Sequence, residues 1–158
     1  MADQIKNVFV SHIHEDDEDL KRFKTLLADR GVAIRDSSIN SLKPNNATDE
    51  DYIKSKILAP NIQWAGTFVV LISPGTCDSK WVDWEIEYAQ SLGKRIVGVW
   101  AHGSKDCDVP KALEDYSDSF VGWHGDSIKD AICLDAEKWE DPDGAPLAKR
   151  PLKRIKCQ

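Results

Sequence analysis

The chain has 158 residues, 41% hydrophobic and 30% charged, with a formal net charge of -6. That length fits one domain able to bury roughly 70% of its unfolded surface, so a core forms without a disulfide framework or a structural metal. The acidic balance excludes a nucleic-acid binder that works by neutralising phosphates across a whole face.

Asn7-Val-Phe-Val-Ser11 reads as a first buried strand. Asp16 to Arg30 follows as an amphipathic helix with Leu20, Phe23, Leu26 and Leu27 inward, stopped by Gly31. Val32 to Asp36 is a second strand. From Ser37 to Asp49 the sequence is polar, contains Pro44 and shows no period, which marks a long loop of the kind that carries function. Glu50 to about Ala65 is expected to be helical, broken or restarted at Pro60. Phe68-Val-Val-Leu-Ile72 has the unbroken apolar character of a strand covered on both faces. Ser73-Pro74-Gly75 then turns the chain into a helix from about Lys80 to Leu92 that ends at Gly93. Arg95 to Ala101 and the shorter Ser119 to Trp123 are the fourth and fifth strands. Asp126 to Leu134 closes the series as a helix capped by Asp126 or Ser127.

Strands alternating with helices predict an α/β fold with a mostly parallel sheet, right-handed crossovers and helices on both faces. Five such units point to the flavodoxin-like order 2-1-3-4-5, whose ligand crevice lies at the carboxyl edge beside strands one and three. From Asp135 onward, acidic residues, Pro142, Asp143-Gly144, Pro146 and Pro151 erase every period. The expected division is a domain over residues 1–134 and an appendage over residues 135–158. The appendage holds the run from Lys149 to Lys156, with five of the 21 basic residues, read as a solvated extension. No segment approaches membrane-spanning length and the opening Met-Ala-Asp-Gln-Ile-Lys lacks a signal peptide's apolar core, so a cytoplasmic protein is expected.

Two of the six tryptophans bracket an acid in Ser79-Lys-Trp-Val-Asp-Trp-Glu-Ile-Glu87. On a helix, Trp81 and Glu85 stand at i and i+4, so an aromatic face lies beside a carboxylate just past a strand's carboxyl end. One of Trp81 and Trp84 is expected to pack inward, because tryptophan buries a large area. Glu85 and Glu87 cannot share one helix face; spacing leaves open which of them is solvated.

The four histidines, His12, His14, His102 and His124, all follow strand ends. Surface or capping roles for them weigh evenly against functional ones. A metal site on His12 and His14 is disfavoured, since alternate strand residues point apart and no third ligand has diagnostic spacing. The four cysteines, Cys77, Cys107, Cys133 and Cys157, form no Cys-x-x-Cys pair and read as reduced, structural thiols.

Glu15-Asp-Asp-Glu-Asp19 complements a helix dipole but would repel a phosphate in the first βα turn, which argues against ordinary flavin or dinucleotide binding. A response-regulator receiver needs an aspartate after strand three and a lysine after strand five; Ser73-Pro74-Gly75 and Trp123-His124 stand there. With no Gly-x-x-x-x-Gly-Lys loop and no Gly-x-Ser-x-Gly elbow, a P-loop hydrolase and an ordinary α/β-hydrolase are also excluded.

Val8-Phe9-Val10-Ser11-His12 resembles the opening strand motif of the Toll/interleukin-1 receptor (TIR) domain, a hydrophobic run ending in Ser and an aromatic. Phe68 to Ser73 resembles that family's third strand, and Ser79 to Ile86 its Ser-x-Trp-Cys-x-x-Glu-Leu helix, with Val82 where Cys is common. The resemblance covers roughly Asn7 to Leu134. With its compact size and Lys94-Arg-Ile-Val-Gly-Val-Trp100, the chain is most similar to the bacterial TIR-like proteins of phage defence, including the TIR component of the Thoeris system.

The resemblance implies an enzyme with NAD as substrate and no bound cofactor. Such proteins cleave the nicotinamide–ribose bond, and some close the remaining ADP-ribose into a cyclic messenger that activates a partner effector. It implies Glu85 as the catalytic carboxylate and Trp81 as a pocket wall. His12, or the backbone beside Ser11, would meet the nicotinamide end, and Ser37, Ser38 and Lys43 would belong to a flap. His12 departs from the family's aromatic, and the acidic first turn leaves the pyrophosphate's cationic partner to Lys43 or a second subunit of a homo-oligomer. Two other readings are a non-catalytic TIR-like adaptor acting by homotypic association and a nucleoside deoxyribosyltransferase-like enzyme that also uses a glutamate.

Overall fold

The computed structural model describes residues 4–13, 17–36, 58–101, 109–134, 136–142 and 144. Its elements run β1 (Gln4–Ser11), α1 (Asp17–Ala28), β2 (Val32–Asp36), α2 (Ala59–Trp64), β3 (Thr67–Ile72), α3 (Lys80–Ser91), β4 (Arg95–Trp100), α4 (Lys111–Tyr116), β5 (Ser119–Val121) and α5 (Gly125–Cys133). All four strand pairings are parallel, in the order β2-β1-β3-β4-β5. The flavodoxin-like architecture expected from the sequence is therefore present.

Alternation along the strands divides the core in two. Phe9, Phe68, Val70 and Ile72 point to one face and meet Leu58, Ile62, Val82, Ile86, Ala89 and Leu113 from the side of α2, α3 and α4. Val8, Val10, Val69 and Leu71 point to the other and meet Phe23, Leu27, Ile128 and Ile132 of α1 and α5. Every residue of β3 is buried because helices cover both of its faces. Phe9 pairs with Phe68 across β1 and β3, and their rings stack with centroids 5.5 Å apart.

Several boundaries differ from expectation for local reasons. β1 begins at Gln4, three residues early, because Gln4 to Val8 pair with β2; Ile5, 62% exposed, is strand without being core. Pro60 stands in the first turn of α2, where its missing N–H is harmless, and residues 50–57 of the expected helix lie outside the described residues. α3 ends at Gly93 as read: Gly93 (φ 73°) closes a Schellman turn, with Lys94 N–H on the Ala89 carbonyl at 3.1 Å and Gly93 N–H on that of Gln90 at 3.0 Å. α4, six residues after Pro110, was absent from the sequence reading.

The cap of α5 is a correction. His124, not Asp126 or Ser127, occupies the N-cap, without a side-chain cap bond. The two expected caps are engaged elsewhere: Asp126 accepts from Arg30 Nε at 3.0 Å and Ser127 Oγ donates to Glu140 at 3.0 Å.

After α5 the chain returns along β5. Phe120 N–H donates to the Lys138 carbonyl (2.8 Å), Glu140 N–H to that of Phe120 (2.9 Å), and Trp139 forms a parallel bridge with Phe120. Among the described residues no helix is long and apolar enough to cross a membrane.

Candidate functional site

β1 lies between β2 and β3, so the strand order reverses at its carboxyl end, and that reversal opens a crevice in sheets of this kind. Ser11 is the last residue of β1, paired with Val70 of β3 and 1% exposed. The connection from β3 to α3 is tightly tied. Ser73 N–H donates to Thr76 Oγ1 at 3.0 Å, Thr76 N–H returns to the Ser73 carbonyl at 3.0 Å, and Gly75 takes φ 103° beside Ile13. Ser79 then caps α3, its hydroxyl accepting from Val82 N–H at 3.2 Å.

That start fixes the phase of α3. Val82, Glu85, Ile86 and Ala89 form its buried stripe at positions three and four apart. Glu85 is thus carried inward, 3% exposed, and its Oε1 accepts the Ser11 hydroxyl at 2.6 Å. Glu87 is exposed, which resolves the choice between the two acids. Such a bond brings together the carboxyl end of β1 and the second turn of α3.

His12 is 6% exposed. Its Nδ1 lies 3.0 Å from the Val10 carbonyl, an oxygen that can only accept, so Nδ1 is the donor in this bond. Trp81 and Trp84 are both half-buried and both pack against the α2–α3–α4 side of the core, where one alone was expected to pack inward; between them Val82 is the fully buried residue. Trp84 stacks on Tyr88 with centroids 5.1 Å apart, and the Tyr88 hydroxyl accepts from Gln63 Nε2 at 2.6 Å. Ser37, Ser38, Lys43, His14 and His102 lie outside the described residues.

The family model for the Thoeris protein ThsB, TIR-like domain, matches residues 9–106, a span that includes Ser11, His12, Trp81 and Glu85. The chain belongs to this ThsB TIR-like family. In fold it is similar to the TIR domain of the Toll-related receptor TRR-2 from Hydra magnipapillata, at 14% identity and a TM-score of 0.50, over 81% of this chain and 92% of that one. Weaker likenesses are to the Clostridium botulinum CMP N-glycosidase BcmB (17% identity, TM-score 0.47, 83% of this chain and 100% of that one) and a Leishmania mexicana 2-desoxiribosyltransferase (18%, 0.43, 65% and 75%). No curated protein matches the sequence.

The acid that Trp81 and Trp84 bracket, Asp83, carries no role in the sequence reading. Asp83 Oδ1 is out of contact with solvent and lacks a hydrogen-bond partner among the described residues. Burial, and secondly the charge of Glu87 one turn on, hold its carboxyl above the ordinary 3.8. The like-charged spacing from Asp83 to Glu87 was the available signal. Cys77 and Cys133 are both partly buried, and among the described residues no group of three or more His, Cys, Asp or Glu could hold a metal.

Proposed function

We propose that this TIR-like protein consumes NAD, breaking the bond between nicotinamide and ribose, with Glu85 as the catalytic carboxylate. The observation that supports this reading is the placement of Glu85: an ionisable group, 3% exposed, beside Ser11 at the point where the strand order reverses. Burying a carboxylate opposes folding, and groups of that kind concentrate where chemistry needs them.

The chemistry is that of a departing base. As the C–N bond breaks, its electron pair leaves with nicotinamide and positive charge spreads over the ribose ring oxygen and anomeric carbon. A fixed anion in a water-poor site stabilises that oxocarbenium-like state, as in glycoside hydrolysis. Water then attacks and gives up a proton, or the adenine or ribose of the same molecule attacks and a cyclic ADP-ribose isomer forms. Exclusion of water and a folded substrate favour the second course.

In the setting that membership of the Thoeris family supplies, the cyclic product would serve as a messenger for a separate effector protein. Trp81 would wall the pocket, His12 would face the nicotinamide end, and Ser37, Ser38 and Lys43 would close over it, with a second subunit free to add cationic groups. The test is chromatography of NAD after incubation with concentrated protein, wild type beside Glu85→Gln, and of small-molecule extracts from infected cells expressing each. Nicotinamide and a cyclic isomer from the wild type alone are expected. Equal product from both would remove Glu85 from the mechanism, and none from either in any setting would leave the adaptor reading.

A further inference from the structure

We infer that Ser11 is a positioning residue, whose hydroxyl fixes the Glu85 carboxylate before substrate arrives. This rests on the reading of Glu85 as catalytic and assigns Ser11 a role different from substrate contact.

A serine hydroxyl carries one proton, and an ionised carboxylate can only accept. At 2.6 Å, the proton of Ser11 is donated to Glu85 Oε1 and is not available to a ligand. Both partners are buried, at 1% and 3% exposure, so solvent does not compete for the bond.

The two ends of the bond differ in stiffness. Ser11 has a single side-chain torsion and sits in the parallel ladder opposite Val70, on the same face of β1 as Phe9, whose ring is stacked on Phe68. Glu85 has three torsions, whose ordering opposes a fixed position. The serine is therefore the post and the glutamate the arm it holds. Because the sequence separation is 74 residues, the bond also ties the phase of α3 to the end of β1. A catalytic anion fixed before binding needs no reorganisation during the reaction.

The test has two arms. In NAD turnover, Ser11→Ala is expected to lower kcat roughly 10- to 100-fold, the scale of one hydrogen bond to a charged group, with KM within about threefold of wild type. Ser11→Thr, which restores the hydroxyl, should recover most of that loss. In urea unfolding, a cycle of Ser11→Ala, Glu85→Ala and the double variant should be non-additive, since each single change removes the same bond.

A rise in KM with kcat unchanged would make Ser11 a substrate contact and overturn the proposal. So would additive unfolding energies. Should the wild type release no nicotinamide, the NAD reading fails, yet the unfolding cycle still decides whether Ser11 holds Glu85.

Discussion

Val82 and Glu85 stand one turn apart on the same buried stripe of α3, 1% and 3% exposed, the one apolar and the other ionisable. A stripe chosen for folding alone would carry a hydrophobic residue at both positions. Glu85→Gln keeps the size and removes the buried charge, so its thermal midpoint is expected to equal or exceed that of the wild type while NAD turnover falls by about 100-fold or more. Calorimetry beside product chromatography reads both. A midpoint lowered by many degrees would show that the carboxylate serves the fold.

Asp83 makes a second electrostatic test, one that is read through the pH dependence of stability. Its carboxyl is held above 3.8 first by burial and then by Glu87, so the folded chain binds this proton more tightly than the unfolded one. Stability from this group is therefore present below the ordinary carboxylate value and is lost as pH rises from there through the raised folded value. Asp83→Asn should be more stable than wild type at neutral pH, with the difference closing as pH falls toward 3.8. Urea midpoints at a series of pH values check it, and a constant difference would contradict the assignment.

The sheet was legible because its central strand β3 is covered on both faces. Phe68 to Ile72 could hardly be anything but a buried strand, and its neighbours followed from alternation with helices. The site was legible only in part. Spacing placed Trp81 and Glu85 on one side of a helix, but which acid turned inward depended on how α3 lies on the sheet, set by the Ser79 cap and the Ser73–Thr76 turn. The Ser11–Glu85 bond joins positions 74 apart and has no local signature. α4 is less than two turns long, too short to show a helical period. The return along β5 rests on single hydrogen bonds and buried individual residues such as Glu140, a pattern without any period.

Gly98 tests the packing of the central sheet. A Cβ there would lie 2.5 Å from Phe120 Cε1 and 2.6 Å from its Cδ1, and 3.2 Å from Ile72 Cδ1. The Phe120 ring has little room to retreat, being fully buried and set edge-on against Trp100 with centroids 5.5 Å apart. Gly98→Ala is expected to destabilise by about 1–3 kcal/mol through overpacking. A urea midpoint unchanged from wild type would mean the ring moves freely.

Glu140 holds the chain that returns along β5. Its Oε1 accepts the buried Gly122 N–H at 3.0 Å and its Oε2 the Ser127 hydroxyl at 3.0 Å, while its carbonyl accepts Trp100 Nε1–H at 2.9 Å. The carboxylate thus serves as an acceptor for two elements, the end of β5 and the first turn of α5, and the backbone bond adds the end of β4. Glu140→Ala strips the side-chain acceptors, leaving the Gly122 amide buried without its partner, at a cost of about 1–3 kcal/mol. Glu140→Gln keeps an acceptor for Gly122 and offers Ser127 an amide N–H in place of an oxygen, so most of the stability should remain. Hydrogen exchange separates the two variants: the Gly122 amide is expected to exchange much faster in the alanine variant and near the wild-type rate in the glutamine variant. Equal acceleration in both would assign the effect to the negative charge of Glu140, and no acceleration in either would mean that the bridge from Phe120 to Trp139 holds this segment by itself.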